Sequence, residues 1–74
     1  MKTTIDLIHE LEKVQKDKQK GSDELADYLL SAGHVTFKWP GQNGTCFEVF
    51  YNNHYYNLIP NLPYGVNYIV RCNQ

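Results

Sequence analysis

The feature that most constrains this chain is a change in composition near Gly33. Residues 1–33 carry twelve of the fifteen charged side chains and a single aromatic residue, Tyr28. Residues 34–74 carry only three charged side chains, but nine of the ten aromatic residues and all seven asparagines. At 74 residues in total, neither part is large enough to fold alone. We therefore expect one domain over residues 1–74, in which helices give way to strands near Gly33.

The first part predicts two helices, at about residues 4–20 and 23–32. Thr3 and Asp6 have the spacing of a capping box at the start of the first helix. Gly21 is typical of the end of a helix, and Ser22 of the residue that caps the next one. Apolar residues at three- and four-residue steps form the buried stripe of the first helix: Ile5, Leu7, Ile8, Leu11 and Val14. Those of the second helix are Leu25, Ala26, Leu29 and Leu30.

The second part predicts four strands, at about residues 34–39, 45–51, 54–59 and 66–72. Asn52 and Asn53 favour a two-residue type I′ turn, which joins the two middle strands as a hairpin. Counting outward from this turn pairs Val49 with Tyr56 on a face that we expect to be the core. The same register places the side chains of the opposite face together: Glu48, Phe50, Tyr55 and Asn57.

Alternation in the first predicted strand places Val35, Phe37 and Trp39 on one face. The other face of that strand carries His34, Thr36 and Lys38. We expect Phe37 in the core, together with Phe47, Val49 and Tyr56. The predicted fold is α+β, with two N-terminal helices packed on one face of a small four-stranded antiparallel sheet.

Charge and hydropathy narrow the range of partners. The formal net charge is −1 and the pI is about 6.2, so no strong field attracts nucleic acid or anionic lipid. No apolar run approaches the roughly 20 residues that span a bilayer, and residues 1–4 do not lead into a signal peptide. We expect a cytoplasmic protein with no membrane contact, for which nucleic acid is a disfavoured partner.

Cys46 and Cys72 are too few for a disulfide scaffold. We expect two buried, reduced thiols, and a bridge between the first hairpin and the last strand stays open as an alternative. The local spacing of a metal site is absent, although a long-range site of both cysteines and a histidine also stays open. The candidate histidines are His9, His34 and His54.

No local pattern points to catalysis. No thiol lies beside a basic cluster that would lower its pKa, and no glycine-rich loop follows a strand to hold a phosphate. Neighbouring carboxylates do not share one helix face. We therefore expect no enzymatic activity, no catalytic residue, no cofactor and no metal.

Residues 37–45 (FKWPGQNGT), with His34 three residues before Phe37, resemble the strand-turn-strand of HicA-type RNA-cleaving toxins. The similarity covers about a dozen positions. It implies a catalytic role for His34 and a fold like that of double-stranded-RNA-binding domains. The chain departs from the family at Ala32-Gly33, where Gly-Ser is usual, and in having no preceding strand, C-terminal helix or basic surface. An RNA-binding or RNA-cleaving domain is the alternative function.

The composition of residues 34–74 favours protein recognition. Interface centres are enriched in tyrosine, tryptophan and arginine and depleted in lysine and carboxylates. We expect a small inhibitor or regulator, of the kind that phages and mobile elements encode, which occludes a surface of another protein or of its own copy. The predicted contact residues are Trp39, Phe50, Tyr51, Tyr55, Tyr64 and Arg71. A carbohydrate-binding sheet and an acidic helix face that mimics phosphates are further alternatives.

Overall fold

The computed structural model describes residues 3–21, 23–61 and 67–73, and it shows two helices and a five-stranded antiparallel sheet. The α+β class is therefore confirmed. In chain order the elements are α1 (Thr4–Asp17), β1 (Lys20–Gly21), α2 (Asp23–Ala32), β2 (His34–Gly41), β3 (Gly44–Tyr51), β4 (His54–Pro60) and β5 (Tyr68–Asn73). Across the sheet the strands lie in the order β1-β5-β4-β3-β2.

Helix α1 begins with the predicted capping box. The Asp6 backbone N–H donates to the Thr3 hydroxyl, and the Thr3 N–H donates to the Asp6 carboxylate. The helix ends at Asp17 because Lys18 adopts the left-handed conformation, with φ of 66°. Leu11 and Val14 are buried, whereas Ile5 at the exposed start of the stripe is 65% exposed. Only the C-terminal half of the predicted stripe therefore enters the core.

Helix α2 is fixed at both ends. Asp23 accepts a hydrogen bond from the backbone N–H of Asn67, which ties the start of the helix to the residue before β5. At the other end the Gly33 N–H donates to the Leu29 carbonyl at 2.8 Å, where the sequence predicts the helix to end. The predicted cap, Ser22, lies outside the described residues.

The hairpin of β3 and β4 is formed as predicted. Asn52 and Asn53 have φ of 50° and 64°, the positive values that a type I′ turn requires. Val49 pairs with Tyr56 and Phe50 with Tyr55, in the register counted from the sequence. Because side chains alternate along a strand, this register assigns a face to every residue of the hairpin.

The faces predicted for β2 are wrong beyond Val35. The pairing with β3 shifts at Thr36, where a β-bulge places both Thr36 and Phe37 opposite Glu48. The extra residue turns Phe37 and Trp39 away from the helices and Lys38 toward them. Phe37 is 60% exposed, so its predicted place in the core is also wrong.

The sheet has five strands rather than the predicted four because Lys20 and Gly21 form β1. Lys20 pairs with Val70 and Gly21 with Ile69, at the edge of the sheet beyond β5. The sequence predicts a first helix to about residue 20, whereas α1 ends at Asp17 and Lys20 belongs to a strand. Two polar or small residues carry no strand pattern of their own. The strand exists only through its long-range pairing with β5.

The hydrophobic core lies between both helices and one face of the sheet. It contains Leu11, Val14, Leu25, Ala26, Leu29, Val49, Tyr56, Leu58, Val70 and Cys72. The opposite face of the sheet, which points away from both helices, is called the open face here. Its side chains are His34, Phe37, Trp39, Cys46, Glu48, Phe50, Tyr55, Asn57, Ile59, Ile69, Arg71 and Asn73.

Gly33 allows α2 to turn directly into β2. A Cβ atom added there would lie 2.4 Å from Val49 Cγ1 and 2.7 Å from the Leu29 carbonyl oxygen. At Gly21 the nearest atom to such a Cβ would be 3.6 Å away. We expect Gly33→Ala to lower the free energy of unfolding by about 2 kcal/mol through overpacking. Gly21→Ala should change it by less than about 1 kcal/mol.

Urea unfolding of the two variants and the parent chain measures this difference. Equal unfolding midpoints for Gly33→Ala and Gly21→Ala would contradict the close approach of α2 and β3 at Gly33.

Candidate functional site

The open face brings together four of the six predicted contact residues. Trp39 lies on β2, Phe50 on β3, Tyr55 on β4 and Arg71 on β5. Tyr55 is 44% exposed, Arg71 is exposed, and Trp39 and Phe50 are half-buried. These side chains therefore share one face of the sheet, distributed over four neighbouring strands.

The other two predicted contact residues are not part of this surface. Tyr51 points to the helix side, where its hydroxyl is 2.7 Å from the Tyr28 hydroxyl and the two rings meet edge to face. That hydrogen bond, together with burial, raises the pKa of Tyr51. Tyr64 lies outside the described residues.

The aromatic rings of the open face are arranged in two pairs. Phe37 and Trp39 stack with their centroids 6.0 Å apart and their planes at 22°. Phe50 and Tyr55 are cross-strand partners, with centroids 4.9 Å apart and planes at 52°. Such pairs hold each other's orientation, so the rings present a defined shape with little side-chain freedom left to lose.

The open face carries little charge. Among its described residues the ionisable groups that are charged at neutral pH are Glu48 on β3 and Arg71 on β5. Glu48 accepts a hydrogen bond of 2.8 Å from the Thr36 hydroxyl at the bulge. The Arg71 guanidinium donates to the Gln19 side chain at 3.4 Å. Each of these two charged groups is thus hydrogen-bonded to a neutral side chain of the same chain.

Sequence reasoning missed three apolar members of this surface: Phe37, Ile59 and Ile69. Phe37 was assigned to the core because strict alternation places its side chain on the same face as that of Val35. No residue around Thr36 indicates the bulge. Ile59 was predicted as the last residue of its strand and was assigned to neither face, whereas β4 continues to Pro60, which pairs with Tyr68. Ile69 pairs with Ile59 in the neighbouring strand.

The two cysteines lie on opposite faces of the sheet, so the bridge between them is excluded. Cys46 pairs with Trp39 on the open face, whereas Cys72 pairs with Tyr56 in the core. Both are free and buried. Burial raises the pKa of the Cys46 and Cys72 thiols, which disfavours the thiolate that a nucleophile or a metal ligand needs.

The described residues contain no group of three histidine, cysteine or acidic side chains placed to hold a metal ion. His34 is exposed at the start of β2, opposite Phe50. His54 packs against Tyr56, with ring centroids 6.4 Å apart. The long-range cysteine–histidine site that the sequence left open is therefore not formed in this part of the chain.

A cleft of about 400 Å³ lies on the other side of the molecule, between α1 and the β3–β4 turn. Its lining is Ile8, Leu11, Glu12, Gln15, Tyr51, Asn52 and Tyr56. The Tyr56 hydroxyl accepts a hydrogen bond of 3.1 Å from the Gln15 amide, which links α1 to β4. The hydroxyls of Tyr51 and Tyr56 at this cleft are thus both hydrogen-bonded within the chain. The cleft is lined by fewer aromatic rings than the open face.

Because both thiols are buried, we expect them to react slowly in the folded protein. At neutral pH in the folded protein, Cys46 and Cys72 should react with Ellman's reagent at least about tenfold more slowly than in the urea-unfolded chain. The physical reason is that the reagent must reach a thiolate that burial disfavours. The release of the coloured thiol, followed in a spectrophotometer, measures both rates. Immediate reaction of either thiol in the folded protein would contradict the described packing.

No helix of the described residues is long and apolar enough to cross a bilayer. In comparisons with known proteins, no family model matches the chain, and neither curated proteins nor solved structures give a significant match.

Proposed function

We propose that this chain is a non-enzymatic protein-binding module that acts as an inhibitor or regulator. It lays its open face on a partner protein and occludes a functional surface there. The observation that carries the proposal is the cluster of outward-facing rings on the sheet face opposite the helices. Large exposed apolar residues that adjoin one another are typical of interaction sites, whereas single ones are common on any surface.

The composition of the open face matches the centre of a protein interface. Phe37, Trp39, Phe50 and Tyr55 supply large ring surfaces, and Asn57 supplies neutral hydrogen-bonding groups between them. Interface centres are enriched in such aromatic residues and depleted in lysine and carboxylates. A rigid sheet loses little conformational entropy on binding, which favours affinity from a modest contact area.

Charge favours a protein over a nucleic acid as the partner. Binding to nucleic acid is built largely from contacts to phosphates, each of which needs a cation. The described part of the open face offers only Arg71, and Glu48 lies on the same face. Lys38 is turned to the helix side by the bulge, with its ammonium 5.9 Å from the Phe47 ring centroid. Among the described residues of the open face, where His34 pairs with Phe50, there is therefore no basic surface to support an RNA-directed role.

Phe37 and Ile5 form a matched pair for the test. Phe37 on the open face is 60% exposed, and Ile5 on α1 is 65% exposed on the other side of the molecule. Replacing either by serine removes an exposed apolar side chain that contributes little to the core. We expect Phe37→Ser, and likewise Tyr55→Ala, to weaken partner binding by at least about 30-fold, the loss of an interface hot spot of about 2 kcal/mol. Ile5→Ser should leave binding unchanged.

The measurement is affinity capture from host-cell lysate with mass spectrometry, followed by titration of the captured protein by calorimetry. Circular dichroism confirms that each variant is folded. Equal affinity of the Phe37 and Ile5 variants would place the interface elsewhere. Growth arrest on expression that is lost in His34→Ala would instead support the RNA-directed alternative.

A further inference from the structure

We propose that the first partner of the open face is a second copy of this chain, packed face to face about a two-fold axis that runs along β4. This inference rests on the proposed function, since it concerns the same docking surface and names its occupant when no other protein is present. The homodimer is then a closed state, from which the monomer must be released before it can bind another protein.

One row of side chains across the sheet is complementary in charge to itself. Phe37, Glu48, Asn57 and Arg71 are successive cross-strand neighbours on β2, β3, β4 and β5. Glu48 and Arg71 stand on either side of Asn57, each one strand spacing of about 4.8 Å from it. A rotation of 180° about the axis that runs along β4, between the two sheets, places each of these positions opposite the other. Each Glu48 then faces the partner's Arg71, so the surface is complementary in charge to itself.

The neighbouring row of side chains differs in height between its two ends. It has Trp39 at one end, paired with Cys46, and Gly21 at the other end, paired with Ile69. On the open face, the β2 edge therefore carries a ridge of rings, whereas Gly21 adds no side chain at the β1 edge, which forms a shelf. A Cβ at Gly21 would be in van der Waals contact with the Tyr68 carbonyl oxygen at 3.6 Å and Asn67 Oδ1 at 3.7 Å, so these two groups border the shelf. The same rotation places the ridge of each copy over the shelf of the other.

The area of the open face is large enough for an interface. The five strands contain 31 residues. At about 3.3 Å along the strand and about 4.8 Å across it per residue, they give a footprint of roughly 500 Å². Two such footprints reach the roughly 1,000 Å² that a specific interface needs. This is the low end of the range, which fits a dimer that dissociates readily.

The contact is isologous, because the same surface serves on both copies. Side chains on the axis meet their own counterparts, so Tyr55, Asn57 and Ile59 of each copy face the same residues of the other. The Tyr55 and Ile59 contacts bury apolar surface that water solvates poorly in the monomer, with the neutral amide of Asn57 between them. The charged pairs flank them and fix the relative orientation of the sheets.

Charge reversal tests this arrangement in purified protein. In Glu48→Lys, each Lys faces the partner's Arg71, and in Arg71→Glu each new carboxylate faces the partner's Glu48. Both variants should dimerise at least about tenfold more weakly than the parent chain, because like charges are apposed twice. An equimolar mixture of the two variants should recover the parent affinity, because a heterodimer restores opposite charges at both contacts. The double variant should recover it as well.

Sedimentation equilibrium from about 1 µM to about 1 mM measures each dissociation constant. Glu48→Gln, which keeps the acceptor for Thr36, separates loss of the bulge hydrogen bond from charge repulsion and should weaken dimerisation less than Glu48→Lys. A parent chain that stays monomeric throughout this range overturns the inference. So does a dimer that is insensitive to both reversals, or a mixture that fails to recover.

These outcomes are separable from those of the proposed function. A monomeric parent chain that still captures another protein through Phe37 contradicts the homodimer alone. A charge-dependent homodimer that captures no other protein supports the dimer and contradicts the regulatory role.

Discussion

Two short helices cover only one face of the sheet, and the rest of the structure depends on this limit. Helices of fourteen and ten residues are about 21 Å and 15 Å long, and both pack on the same side. Tyr56, Leu58 and Val70 are fully buried beneath them. The opposite face has no helix from the described residues to cover it, yet it is built from rings and branched aliphatic side chains. Its apolar surface is what makes a binding role physically reasonable.

The bulge at Thr36 determines which side chains of β2 lie on the open face. Without the extra residue, Phe37 and Trp39 would lie beside Val35 on the helix side, and Lys38 would point outward. The bulge reverses this and adds two rings to the open face while removing a cation from it. The Thr36 hydroxyl bonds both the backbone carbonyl and the carboxylate of Glu48, at 3.2 Å and 2.8 Å. The bulge therefore also holds the one acidic side chain of the described open face.

The sequence was informative wherever local chemistry determines structure. The capping box at Thr3, the end of α2 at Gly33 and the hairpin at Asn52-Asn53 each involve neighbouring residues, and each was predicted. The hairpin register alone placed Phe50 and Tyr55 together on the outer face. Features that depend on distant pairing were not predictable. Strand β1 has no pattern of its own, and its two residues become a strand only because β5 lies beside them.

The residues of the candidate site could be predicted only in part. Trp39, Phe50, Tyr55 and Arg71 were chosen by residue type and lie on one face, but Trp39 reaches it only through the bulge. Tyr51 was chosen for the same reason and lies on the helix side, because the register places it beside Tyr28. Phe37 was assigned to the core, since alternation is the best guide that a single strand offers. Residue type thus predicted the kind of surface, and the pairing of strands decided which residues form it.

The proposed binding depends on an open face whose aromatic rings are accessible in the monomer. Hydroxyl-radical footprinting with mass spectrometry measures this accessibility, at a protein concentration low enough to prevent self-association. We expect rapid oxidation of Phe37 and Tyr55, and strong protection of Tyr56, which has no exposed surface. Protection of Phe37 and Tyr55 equal to that of Tyr56 under these conditions would contradict this expectation.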